Sequence, residues 1–185
     1  LYFLLYDTDL DFMVFTGSSR TTRYGFDFSK NLTTNLEIHG EFAVVNNFKL
    51  MSIDQRGLTS VRESEALSYL LGLRYLTEME TTYILEYYRN GTGFTKNQLE
   101  GFVDFVDASD LTFRTTGDDG AIRRAKQLAK GAYGRPNPGQ HYLYFRVSQK
   151  EPFDILYLTP ALTSILNLTD GSLSLIPELS YSPVT

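Results

Sequence analysis

Glu37, His39 and Glu41 sit at i, i+2 and i+4 in a stretch that alternates polar with apolar residues, so on a strand all three side chains leave the same face. Two carboxylates flanking an imidazole could supply ligands to a divalent metal or a base to a reaction. The only other histidine, His141, lies far along the chain and no neighbouring strand offers a second imidazole, so the reading favoured here is a polar lining on the wet side of a sheet. Five more charged residues fall on the equivalent side of their own segments: Asp27, Arg74, Glu86, Arg146 and Glu178. The two arginines are placed to pair with Glu86, Glu178, Glu41 or Asp27 across strands. Five acids against two arginines lean the set toward cations wherever it borders water. These eight residues are the candidate pore-lining set. No catalytic residue, metal site or cofactor site is assigned, because the sequence contains no nucleophile elbow, phosphate-binding glycine loop, zinc helix motif or convincing carboxylate pair.

Period-two writing is what positions those residues. Leu32, Thr34, Leu36, Ile38, Gly40, Phe42 and Val44 form an uncharged set, and the residues between them hold the polar groups. The same pattern gives Tyr24, Phe26 and Phe28; Leu67, Tyr69, Leu71, Leu73 and Tyr75; Tyr83, Leu85 and Tyr87; and Leu143, Phe145 and Val147. Two later segments add Leu156, Leu158, Pro160, Leu162, Ser164, Leu166 and Leu168, then Leu173, Leu175, Pro177, Leu179 and Tyr181. These 33 positions hold no charge, where a 21% charged composition would place about seven. Nine strands are expected: Leu1 to Tyr6, Leu10 to Thr16, Thr21 to Ser29, Leu32 to Val44, Ala66 to Leu76, Thr81 to Arg89, His141 to Gln149, Asp154 to Leu168 and Ser172 to Ser182. Pro160 and Pro177 each remove a ladder donor, which predicts a bulge or a local edge at both.

Tight joints at Ser29 to Asn31, Thr77 to Glu80 and Lys150 to Phe153 fall at one end of the sheet. The long joints, Asn46 to Glu65 and Asn90 to Gln140, fall at the other. Residues 91–140 read as a helical hairpin inserted in the last of these loops. Thr95 and Gln98 form a capping box, Phe94 and Leu99 a hydrophobic staple, and Leu99, Phe102, Val103 and Val106 share a face. Asp118 is placed to cap a second helix whose Ile122, Ala125, Leu128 and Ala129 face together, with basic residues around them and Gly131 as the stop. The aromatic residues divide into two girdles, Phe28, Tyr75, Tyr83 and Tyr181 near the tight end and Phe42, Tyr69 and Tyr87 near the loop end, with leucine and isoleucine between.

Composition narrows the class. With 13 Phe, 13 Tyr and no apolar run near the roughly 20 residues of a spanning helix, any membrane crossing falls to strands. A net charge of −5 leaves no electrostatic footprint for nucleic acid. The absence of cysteine removes disulfides and thiolate metal sites. Three N-x-T sequences, at Asn31, Asn90 and Asn167, match glycosylation acceptors that mean little in a bacterial envelope protein. The fold class expected is all-β, an antiparallel up-and-down transmembrane β-barrel, open as given, with residues 1–185 belonging to one barrel domain. Bacterial single-chain barrels have even strand numbers, so nine strands read as a piece of a longer chain.

The stretches Tyr24 to Leu32 and Glu37 to Phe42, with Tyr142 to Arg146 running into Lys150 to Tyr157, resemble Gram-negative outer-membrane β-barrel proteins of the porin-like or export type. The resemblance implies residence in the bacterial outer membrane, contact with its lipid, and passage of small polar solutes. It departs from that class in lacking a final strand that ends in an aromatic residue. Two rivals stand beside it: a soluble lipocalin-like barrel or β-sandwich with the apolar face inward, and a barrel scaffold carrying adhesin or enzyme activity in its loops.

Overall fold

The computed structural model describes residues 1–18 and 20–183. They form one nine-stranded antiparallel sheet in strict sequence order: β1 (Tyr2–Leu5), β2 (Thr8–Gly17), β3 (Arg20–Asn31), β4 (Leu36–Ile53), β5 (Thr59–Leu76), β6 (Thr81–Arg89), β7 (His141–Gln149), β8 (Leu158–Asn167) and β9 (Leu173–Tyr181). Two helices, α1 (Lys96–Thr116) and α2 (Gly120–Lys130), lie between β6 and β7. The sheet is open: β1 and β9 are its two edges.

Register turns the alternation into two continuous faces. Phe26, Phe42 and Tyr69 stand opposite one another on β3, β4 and β5, and Ile38, Leu73, Leu85 and Phe145 do so on β4 to β7. The last two strands join the same face through Val147, Leu162 and Pro177 and through Leu143, Leu166 and Leu173. Aromatic rings tile it near the loop end, with consecutive centroids from Phe12 through Phe26, Phe42, Tyr69 and Tyr87 to His141 between 4.8 and 6.1 Å apart. Gly40 interrupts this face and Phe28 covers the gap, so close that a Cβ there would lie 2.5 Å from the ring.

The strands are staggered. One row runs through Thr8, Lys30, Ile38, Leu73, Leu85, Phe145, Ser164 and Leu175; it starts at the tight-end residue of β2 and reaches β9 six residues from its tight end at Tyr181. Six residues at about 3.3 Å over seven steps of about 4.8 Å give an inclination of roughly 30°.

Several expected boundaries are corrected. The joint from Asn46 to Glu65 is no loop: β4 and β5 are 18 residues each and continue as one tall hairpin beyond a bulge between Val45 and Phe48. The bulge, with Asn47 at φ 49°, breaks the phase of the alternation and so hides the continuing strand from a period-two reading. The hairpin closes where Asp54 Oδ1 accepts from the Arg56 and Leu58 amides. Residues 32–35 are a turn in which Thr33 Oγ1 accepts from the Asn35 and Leu36 amides, so Leu32 and Thr34 lie outside the strand. Leu156 and Leu168 also fall outside β8, which is preceded by a 3-10 turn at Pro152–Asp154. Pro160 sits one residue past the last β7–β8 pair, Ser148 with Ala161, and Pro177 is on the outermost strand, so both prolines occupy local edges.

The packed core lies at the loop end, in a cap. Ile53 of the tall hairpin, Phe94, Phe105, Ala125 and Tyr133 are buried together, with Leu50, Leu99, Phe102, Val106 and Leu128 against them. The Thr95–Gln98 capping box is complete, with Thr95 Oγ1 accepting from the Gln98 amide and Gln98 Oε1 accepting from the Thr95 amide. Phe94 is fully buried beside Leu99, as a staple requires. On α1 it is Phe105, not Val103, that faces the core; Val103 is exposed. α2 starts one residue later than a cap at Asp118 implies, and Asp118 Oδ1 accepts from the Gly120 amide just ahead of it.

Candidate functional site

The face opposite the apolar one gathers all eight charged candidates. Three adjacent rows define it. Asp11, Asp27 and Glu41 stand side by side on β2, β3 and β4, followed by Leu70, Tyr88 and Tyr142. The next row runs Asp9, Ser29, His39, Gly72, Glu86 and Tyr144, and the third Asn31, Glu37, Arg74, Ile84, Arg146 and Thr163. Glu178 enters from β9 opposite Ala161.

Gly72 makes the centre of this face possible. It lies between His39 and Glu86, and without a side chain there the imidazole crosses β5 to place Nε2 3.2 Å from Glu86 Oε1. A Cβ at Gly72 would come within 2.2 Å of His39 Nε2 and 2.9 Å of Glu86 Cγ. On the other side of the ring, Nδ1 is 3.7 Å from Glu37 Oε1 and makes no hydrogen bond. Glu37 in turn accepts from Ser29 Oγ and lies 3.9 Å from Arg74. Arg146 is the other anchored cation: Nη1 is 2.6 Å from Glu178 Oε2 and 2.8 Å from Thr163 Oγ1. Asp27 and Glu41 are directly opposed and have no basic partner among the described residues. They border a recess of about 320 Å³ with Met13, Ser68 and Tyr88.

The arrangement is one of charged side chains, several of them held in cross-strand contacts. His39 and His141 cannot share a ligand, because His141 belongs to the apolar face, where its Nδ1 is hydrogen-bonded to the Tyr87 hydroxyl at 2.7 Å. Arg146 takes the Glu178 partner expected of it, while Arg74 turns to Glu37, on its own row, and not to Glu86, Glu41 or Asp27.

At the middle of the sheet the apolar face is left uncovered while the His39–Glu86 pair is half-buried. Leu71 and Leu73 on the apolar face are 44% and 38% exposed, whereas His39 and Glu86 on the polar face are 21% and 23% exposed. Sequence reasoning missed Asp9, Asp11, Tyr88, Tyr142 and Tyr144 on this face. The period-two signal for the two aspartates was present: Asp9 fell ahead of the boundary drawn at Leu10, and Asp11 lay inside the expected strand, to which no face had been assigned. No protein-family model, curated protein or solved structure matches the chain.

Proposed function

We propose that this sheet is wall of an outer-membrane β-barrel that passes small polar solutes, with its apolar face against lipid and its polar face along an aqueous lumen. The observation that carries the reading is the uncovered apolar face: rows of Leu, Ile, Phe and Tyr, with Lys30 and Arg89 at their margins, span all nine strands and have no second layer over them among the described residues. A face of that extent left in water would be an aggregation liability, and in hydrocarbon it is solvated. Three further features agree with lipid contact. The stagger gives the strands an inclination toward the about 35–45° of membrane barrels. The ring ladder at the loop end sits where an interfacial girdle belongs. Above it the same face turns ionic, with Lys49 3.4 Å from Glu63. A lipocalin-like barrel or β-sandwich would instead bury the leucine face.

These 185 residues contain no cysteine, so an introduced thiol is the only one on this wall. Single cysteines are placed in the full-length protein at Ser148 and Ser174 on the polar face and at Leu162 and Leu175 on the apolar face, and the variants are reconstituted in lipid vesicles. A charged, water-soluble thiol reagent is expected to label the first pair and leave the second to a lipid-soluble maleimide. Equal labelling of both pairs by the charged reagent, or a protein that stays monomeric without detergent, overturns the assignment. Conductance across a planar bilayer then separates an open lumen from a closed wall.

A further inference from the structure

Three aromatic rings in the cap form one stack. Tyr133 is the middle ring, nearly parallel to Phe94 (centroids 4.2 Å apart, 5° between planes) and to Phe102 (4.0 Å, 11°). Two rings at those separations cannot share one side of Tyr133, so Phe94 and Phe102 cover its opposite faces. The Phe94 end is closed by a cation: the Arg135 guanidinium stands 5.8 Å from that ring and is tethered by donating to Thr92 O. The Phe102 end has no such cover among the described residues. Phe102 lines a recess of about 400 Å³ with Leu99, Val103, Tyr133 and Pro138 as its apolar part.

Charge around that recess is one-sided. Glu100, Asp104 and Asp170 border it against a single cation, Lys96, which already lies 3.7 Å from Glu100. Asp104 has no basic partner among the described residues, and Asp170 is engaged only by the Ser172 amide and hydroxyl. A π-face in an apolar pocket rimmed by carboxylates attracts a weakly hydrated cation twice, through the ring quadrupole and through the acids.

We infer that this recess binds a small organic cation, an alkylammonium or guanidinium group on an apolar body, seated over Phe102 and facing Asp104 and Asp170 as Arg135 is seated over Phe94. Nothing in this assignment depends on which side of the sheet meets lipid, so it stands or falls apart from the channel reading.

The probe is choline, compared with 3,3-dimethylbutan-1-ol, its uncharged counterpart of nearly equal shape. Binding to the full-length protein is followed by saturation-transfer NMR in a maltoside detergent, which contains no choline group. Choline is expected to bind roughly 2- to 30-fold more tightly than the alcohol. Asp104→Asn, an exposed substitution that leaves the stack intact, is expected to weaken choline several-fold and leave the alcohol unchanged. Phe102→Leu should reduce the preference for charge to the share the carboxylates supply, with thermal unfolding of the cap as the check that the variant is folded. Equal binding of the two probes, no binding of either, or an Asp104→Asn variant that binds choline as the parent does overturns the assignment.

Discussion

Single residues on this sheet act mainly by what they leave out. Gly72 matters because the space above its Cα is occupied by the His39 ring on its way to Glu86. Gly72→Ala must drive the imidazole off, at a cost of about 1–3 kcal/mol. Denaturant unfolding of the detergent-solubilised protein reads this. Combining the change with His39→Ala should recover part of the loss, because the added methyl then meets no ring. Tyr133 is the opposite case, a side chain whose one polar atom satisfies a buried donor: its hydroxyl accepts from the Ile53 amide at 3.0 Å. Tyr133→Phe keeps the ring stack and strands a buried N–H, an expected loss of about 1–3 kcal/mol in the local stability of the cap, visible as faster amide exchange at Ile53. Burial raises the Tyr133 phenol above the ordinary tyrosine range, with the Ile53 hydrogen bond opposing in part. Its folded form therefore holds its proton longer than the unfolded one. Cap stability is complete below about pH 10 and falls as the pH rises beyond it, and Tyr133→Phe should flatten that alkaline decline. The histidine position was legible in the sequence because spacing alone fixes the face of Glu37, His39 and Glu41. The Gly72 notch was not, because His39 meets Gly72 only in the β4–β5 register, which is set by a turn at 54–58 that the sequence reading took as part of a long joint.

Among elements, the tall β4–β5 hairpin and the helical pair are one unit. Ile53 carries the hairpin into the cap core, Gln98 Nε2 reaches Ser52, and Arg124 Nη2 donates to Thr59 at 2.6 Å. Phe105→Ala removes the ring that faces Gly57 and Ala125 in that core and should cost about 3–5 kcal/mol. The expected signature is local: amides of α1 and α2 lose protection against exchange while those of β5 to β8, held by long ladders, keep theirs. The start of α1 was readable from Thr95 and Gln98 because capping is a short-range code. Of its stripe, Leu99, Phe102 and Val106 pack on the core as read and Val103 does not; Phe105 and Ser109, which continue the spacing from Phe102, went unread because a serine is an unpromising core residue. Here Ser109 is buried because its hydroxyl donates back to Phe105 O at 2.6 Å. The tall hairpin was missed for a different reason: the two asparagines at the bulge read as a loop, and the charged run Arg62 to Glu65 carries no apolar alternation.

For the whole molecule, the two faces set the expected behaviour. Acid on the polar side is concentrated on β2 to β4, where Asp9, Asp11, Asp27, Glu37 and Glu41 lie, whereas the anchored arginines are on β5 and β7. A lumen bordered by this wall should favour cations, and the pair Asp27→Asn with Glu41→Gln should move the reversal potential in a salt gradient toward non-selectivity while single-channel openings persist. An unchanged reversal potential places those residues off the path. Direction of travel along the chain adds a constraint of its own. With eight antiparallel pairings in succession, the first and ninth strands point the same way. Curling this ribbon until those two met would create a single parallel seam in an otherwise alternating cylinder. A cylinder that alternates all the way round needs an odd number of strands in the gap, and whatever supplies them must bond to the outer rim of β9, where Pro177 has no amide hydrogen to give.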